Sequence, residues 1–247
     1  IIKKVRILQS DLILFFKDRF IPKLDNLHNI KSTSPEECLL IKVFGLQSIL
    51  YFYMANVPTY LNYLSNCDTR ISYSWHHKFL SILENQLKPK RWLLKDPSHL
   101  GHLKEILSIY PNACFIHITR DPIETIPSIC SLTAQVRKGF SKDLDRKRLG
   151  QDTLNFWAKS NDKNEAQRSD LSYNQYMPVQ YDDLLDDPIN LIKDIYKNFS
   201  ISLDDRTLSL MNAYIGEDSN DAKAEHKYSL EDYGLERREV HNKLNYS

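Results

Sequence analysis

The chain has 247 residues, 42% of them hydrophobic, with 33 basic against 32 acidic side chains. That length suffices for one sizeable domain, and a formal net charge of +1 leaves no global field to attract nucleic acid, so any anion site must be local. Only six glycines are present, none spaced as a dinucleotide fingerprint or a Walker loop, so a phosphate grip visible here must use side chains and helix ends.

Residues 1–20 read as a helix, with Val5, Leu8, Leu12, Phe15 and Phe16 at helical spacing and Pro22 ending it. Residues 25–32 form a polar connection. Ser34-Pro35-Glu36-Glu37 then has the pattern of a helix start, with proline at the first position and acids near the positive end of the dipole. That helix is expected to run to about residue 55. Its apolar stretch, 41–54, is interrupted by Lys42, Gln47 and Ser48, which marks a packed core helix rather than a membrane span. Val57-Pro58 opens a short helix with Tyr60, Leu61 and Leu64. Asp68 or Thr69 begins another, through Trp75, Phe79 and Leu83 to Lys88. Residues 1–90 are thus a helical layer. Its Tyr51, Tyr53, Tyr60, Tyr63, Tyr73, His76 and His77 are either pocket-lining or ordinary packing residues.

The stretch from Lys90 to Leu132 carries one device twice. An apolar strand (92–94, then 114–118) ends in a cation, Lys95 or Arg120, followed by Asp-Pro and a helix. Asp96 and Asp121 suit the N-cap, and Pro97 and Pro122 the first helical position. Between them one helix is expected over residues 98–110, with Leu100, Leu103, Ile106 and Leu107 on one face. Strand–helix–strand is a parallel βαβ unit. It sets both cations at the carboxyl edge of the sheet, where open α/β sheets bind ligands, and beside two helix N-termini, which favour anions.

Residues 123–136 read as helix, with Ser128 on the second turn. The charged run 137–150 reads as a mobile loop or lid. Residues 152–169 form a long polar helix anchored by Leu154, Phe156 and Trp157. Residues 177–181 are a third strand, Asp187-Pro188 starts a helix, and 202–215 is one more. The tail, 216–247, has no long apolar period. Cys38, Cys67, Cys114 and Cys130 form no C-x-x-C pair, and Cys114 and Cys130, in apolar runs, read as reduced core residues. No metal site is expected, because the histidines and cysteines lack ligand spacing. With no visible leader or apolar span, a cytoplasmic location is favoured.

These residues together resemble a family. Leu94-Lys95-Asp96-Pro97-Ser98-His99-Leu100, then Thr119-Arg120-Asp121-Pro122 and Ser128, look like a sulfotransferase of the broad bacterial and eukaryotic branch. Tyr181-Asp182-Asp183-Leu184, and His226-Lys227-Tyr228 followed by Asp232-Tyr233-Gly234-Leu235, fit the same branch. The resemblance implies one α/β domain over residues 1–247, a helix-rich, P-loop-NTPase-like three-layer sandwich with a short parallel sheet. Residues 1–90 form its helical layer, 91–200 the nucleotide-binding core, and 201–247 a C-terminal helix and tail.

It also implies transfer of a sulfuryl group from PAPS to a hydroxyl or amine on a small-molecule, lipid or carbohydrate acceptor, without a metal. Arg120 and Ser128 would hold the 3′-phosphate, Tyr181 would lie near adenine and Lys227 near phosphate. Lys95 would meet the bridging oxygen, and His99 would be the general base, with His102 as the neighbour able to replace it. Plain alternatives stand beside these roles: an ion pair of Arg120 with Asp121 or Glu124, a solvated Lys95, a helix-bonded Ser128, a packed or capping His99, a packed Tyr181. His117, inside its strand, reads as a satisfied buried histidine. The family's amino-terminal strand and 5′-phosphosulfate loop have no match, so the chain reads as lacking that segment, the alternative being a natural form that never had it. The other readings of such a chain are a non-catalytic nucleotide-binding or interaction protein on this fold, or a P-loop kinase-like enzyme.

Overall fold

The computed structural model describes residues 2–20, 31–141, 144–218 and 228–244, and among the described residues up to 90 every regular element is helical, as expected. α1 spans Ile2–Phe20. The helix expected over 34–55 is broken instead. α2 (Leu39–Lys42) runs into a 3₁₀ turn (Val43–Gly45), Leu46 adopts a φ of 52°, and the helix resumes as α3 (Leu50–Met54). α4 (Pro58–Leu64) and α5 (Arg70–Leu87) follow. A Cβ on Gly45 would stand 3.0 Å from the Cα of Ser72, so α5 crosses the break at backbone distance.

Residues 92–94 do not form the expected strand. Among the described residues the sheet holds only the two strands given below, and Leu93 is 89% exposed. An extended run with no ladder partner leaves its amides to water, so nothing holds it in a sheet. The single helix expected over 98–110 is also divided. Pro97–His99 is one 3₁₀ turn, Gly101 takes a φ of 80°, and α6 occupies Leu103–Ile109. A Cβ at Gly101 would come 2.6 Å from the carbonyl oxygen of Ser160, so glycine permits both the left-handed turn and the close crossing.

β1 (Phe115–Thr119) follows and leads into α7 (Pro122–Lys138). α8 (Arg146–Arg168) returns the chain to β2 (Tyr176–Gln180), which pairs with β1 in parallel from Phe115↔Tyr176 to Thr119↔Gln180. The parallel pair therefore forms one step later in the chain than expected, with two long helices as its connection. Within the run 137–150, residues 137–138 and 146–150 are helical, against the loop reading of those positions. α7 extends through Lys138, and Asp145 caps α8 by accepting the amide of Arg148 at 3.0 Å. Arg137 is buried and donates to the carbonyl of Phe52 at 2.8 and 3.2 Å.

α9 (Tyr181–Asp186), α10 (Pro188–Asn198) and α11 (Asp205–Asp218) come next, then a 3₁₀ turn (Glu231–Tyr233) and α12 (Arg237–Lys243). The core lies where α3, α7, α8 and the tail meet, around Phe52, Ile126, Cys130, Leu154, Tyr233 and Val240. The tail lacks a long period yet supplies core residues, because its short turn and helix each bury one side. A Cβ on Gly150 would collide with the carbonyl oxygen of Tyr233, so the tail lies directly on the α8 backbone. Cys130 is in the core, whereas Cys114 is exposed just before β1, contrary to the core reading of its apolar run. Among the described residues no helix is long and apolar enough to cross a membrane.

Candidate functional site

Parallel pairing sets Thr119 beside Gln180, so the residues that follow them, Arg120 and Tyr181, are neighbours at the carboxyl edge of the sheet. The Arg120 guanidinium stands 4.7 Å from the Tyr181 ring centroid. Its Nε and Nη2 donate to Oε2 of Glu124 at 2.9 and 2.7 Å. Both side chains are well exposed. Such an i,i+4 surface pair is worth about 0.3–0.5 kcal/mol, so a phosphate would exchange for it at little cost. Asp121 caps α7 by accepting the amide of Ile123 at 2.8 Å, with Pro122 at the first position. The Thr119 hydroxyl donates to Oε1 of Gln180 at 2.9 Å.

Thr119, Arg120, Asp121, Pro122 and Gln180, with His241 and Leu244 from the tail, surround a hollow of about 270 Å³. A hollow of about 320 Å³ lies along α12 between Glu236 and Lys243, away from the strand ends. We place the site at the strand ends, where cation, ring and α7 amino terminus coincide. His241 was not among the residues read from the sequence. No spacing ties it to Arg120, and only the folding of the tail over the strand ends brings it there.

The first cation–Asp-Pro passage has different surroundings. Lys95 pairs with Glu37, and its side chain is 72% exposed. The Lys95 carbonyl accepts the amide of Cys38 at 2.9 Å. Asp96 is buried and accepts from both the amide and the hydroxyl of Ser98 at 2.7 Å. Below it lies Lys42, 2% exposed. Its amine donates to the Ser98 hydroxyl at 2.7 Å and carbonyl at 3.3 Å, and stands 3.8 Å from Oδ2 of Asp96. That oxygen has no hydrogen-bond partner among the described residues. Burial pushes the Asp96 carboxyl up, but the Lys42 charge and the Ser98 bonds hold it below the usual carboxylate range. Burial lowers the Lys42 amine, opposed by Asp96.

His99 ends this loop half-buried, its Nδ1 sharing a hydrogen bond of 2.9 Å with the Tyr73 hydroxyl. His76 is joined in the same way to Tyr110 at 2.7 Å, and His102 to Thr69 at 3.1 Å. Burial lowers the His99 ring to about 3 and the His76 ring to about 4, so both are neutral at neutral pH. His117 shares a hydrogen bond of 2.5 Å with the Tyr176 hydroxyl across the two strands.

Arg120 and Tyr181 are brought together, then. Arg120 and Lys95 are not: each has its own carboxylate, and Lys95 does not line the hollow. The Glu124 pair weighed from the sequence is the one Arg120 makes. Ser128 is half-buried on α7. Lys227 lies outside the described residues.

Residues 10–205 match the model of a family described as "Sulfotransferase family". The chain belongs to that family, and its P-loop-NTPase-like α/β fold is the one its solved neighbours share. It superposes on the sulfotransferase STF1 from Mycobacterium tuberculosis H37Rv with a TM-score of 0.81 and 30% identity, covering 95% of this chain and 61% of that one. Sulfotransferase STF9 from Mycobacterium avium shares the fold, with a TM-score of 0.78 at 22% identity over 85% of this chain and 54% of that one. Over 113 residues, 45% of this chain, it is 26% identical to the omega-hydroxy-beta-dihydromenaquinone-9 sulfotransferase Stf3 of Mycobacterium bovis. The same match is found in Mycobacterium tuberculosis. The matched stretch spans 29% of the length of these curated relatives.

Proposed function

We propose that the protein moves a sulfuryl group from PAPS to a hydroxyl on a lipid or other small-molecule acceptor. One observation carries this reading: the Arg120 guanidinium lies over the Tyr181 ring at the carboxyl end of β1, beside the amino terminus of α7. A planar fork, an aromatic face and a helix dipole suit a phosphorylated nucleoside. The curated relatives carry a hydroxylated dihydromenaquinone in their name, which supports a lipid alcohol among the acceptor classes.

In this reading Arg120 and Ser128 hold the 3′-phosphate, with Lys227 nearby, and Tyr181 packs near adenine. Lys95, in a surface pair with Glu37 that exchanges easily, serves the opposite, sulfated end. The two cations then hold two ends of one nucleotide rather than a single anion. Transfer forms a bond from sulfur to the acceptor oxygen and breaks the bond from sulfur to the phosphate oxygen. The hydroxyl proton passes to His99, and Lys95 balances the charge left on the phosphate. Tyr73 engages Nδ1 of His99, so in this reading Nε2 is the nitrogen that takes the proton. A ring lowered to about 3 takes the proton only as the oxygen commits to sulfur.

The test is thermal unfolding with adenosine 3′,5′-bisphosphate. At a hundred times Kd the ligand adds about 2.7 kcal/mol of stability, and Arg120→Ala removes that gain. No shift with the unsubstituted protein overturns the reading. Binding with no transfer from PAPS to a polyprenyl or quinone alcohol rejects catalysis by this chain and leaves nucleotide binding.

A further inference from the structure

One buried cation holds His99 from two sides. The Lys42 amine, on a side chain 2% exposed, donates to the hydroxyl and the carbonyl of Ser98, the residue before His99, at 2.7 and 3.3 Å. It also stands 5.2 Å from the centroid of the Tyr73 ring, whose hydroxyl shares the 2.9 Å hydrogen bond with Nδ1 of His99. Lys42 thus meets both the backbone that carries the histidine and the phenol that holds its ring. Tyr73 lies on α5 and is 1% exposed, so neither residue reaches a substrate, whereas His99 is half-buried. His76 has the same kind of bond to Tyr110 but is itself 1% exposed, so of the two pairs only that of His99 offers its imidazole to the surface.

We propose that Lys42 and Tyr73 are positioning residues for His99: Lys42 fixes its backbone through Ser98, and Tyr73 accepts a hydrogen bond from Nδ1–H, which leaves Nε2 bare to receive the acceptor's proton. This rests on the reading of His99 as general base. Burial keeps the ring neutral at neutral pH, so one nitrogen carries a proton and the other does not. The hydrogen bond made by the ring sets which one it is. A base acting from Nε2 needs its proton on Nδ1 and an acceptor beside it, and the Tyr73 oxygen is the group bonded there. Packing alone does not call for this chemistry. Phenylalanine would fill the space of Tyr73 and methionine nearly that of Lys42, without the cost of burying a hydroxyl and an amine. Oδ2 of Asp96, 3.8 Å from the amine, has no hydrogen-bond partner among the described residues, so stability alone does not account for the charge pair. An amine that grips Ser98 while lying against the Tyr73 ring holds the two anchors of His99 at a fixed spacing. Proton transfer over hydrogen-bond distance requires that precision.

The experiment is nitrogen-15 NMR of the histidine rings at neutral pH, with the His99 signals identified by their loss in His99→Gln. The protein is expected to show Nδ1 of His99 protonated and Nε2 bare. Tyr73→Phe, which keeps the ring and removes the hydroxyl, is expected to move both nitrogens toward values averaged over the two tautomers. Lys42→Met is expected to move them the same way by less. It leaves Asp96 buried without its counter-charge, so Lys42→Met with Asp96→Asn is the variant read if the single one does not fold. In transfer from PAPS to farnesol, Tyr73→Phe is expected to lower kcat about tenfold with KM for PAPS unchanged. The proposal is overturned by a proton on Nε2 in the unsubstituted protein, by nitrogen shifts that Tyr73→Phe leaves in place, or by a kcat that it leaves unchanged. An unchanged pattern in the folded Lys42 variant overturns the part given to Lys42. The NMR readout needs neither nucleotide nor turnover, and the adenosine 3′,5′-bisphosphate thermal shift is expected to persist in Tyr73→Phe, which separates a failure here from a failure of the nucleotide reading.

Discussion

At Asp121 an exposed carboxylate accepts the amide of Ile123, the preceding strand is paired, and a helix of 17 residues follows. At Asp96 a buried carboxylate accepts the amide of Ser98, the preceding segment is unpaired, and a single 3₁₀ turn follows. The two passages share Asp-Pro and the same capping bond, which needs only neighbours in the chain. They differ in what lies beneath. Lys42 rises under Asp96 and ties the loop to α2, whereas Arg120 meets Glu124 at the surface. A buried charge pair is rigid and costly to break; a surface pair is easily exchanged. The comparison gives the first passage a buried anchor in Asp96 and Lys42, with the exchangeable Lys95 pair above it, and leaves the second passage a surface pair alone.

Removing one charge from each passage breaks the comparison most directly. Asp96→Ala leaves the Lys42 amine buried without its counter-charge and is expected to cost about 3–5 kcal/mol in urea unfolding. Acidification comes next. The His76 and His99 rings, at about 4 and 3 when folded, stand near 6.5 when unfolded. Between those values the unfolded chain binds more protons, so their stabilisation is complete above pH 6.5 and declines as the pH falls. The loss by pH 5 is on the order of 2–4 kcal/mol, and His76→Phe should flatten part of it in melts recorded from pH 7 to 5. Gly101→Ala, at a φ of 80° and against the Ser160 carbonyl, is expected to cost about 1–3 kcal/mol by the same urea assay. Asp121→Ala should cost about 1 kcal/mol as a lost cap. Arg120→Ala should change stability by at most about 0.5 kcal/mol while removing the nucleotide-dependent shift. A large loss at Asp121 and a small one at Asp96 would reverse the roles assigned here.

Much of this was legible from sequence. The caps at Asp96, Asp121 and Asp187 are there, as are the helix starts at Pro58, Pro122 and Pro188, because capping is decided within a few residues. The apolar runs of β1 and β2 were also readable. The segment 92–94 has equal apolar character, but a strand exists only with a partner, and no local pattern supplies one. Gly101 splits a run with good helical spacing because Ser160 crosses it, an encounter between residues far apart in sequence. Lys42 looked like a polar interruption of an apolar stretch. Its burial is set by Ser98 and Asp96, more than fifty positions away, and a separation of 26 positions hid the Tyr73–His99 bond.

The contact between Gly150 and the Tyr233 carbonyl carries a further consequence. A single methyl group there would pry the last seventeen described residues off α8. His241 and Leu244 would leave with them, and the hollow facing Arg120 would lose a wall. A substitution in the second turn of α8 would then be felt first as weakened nucleotide affinity.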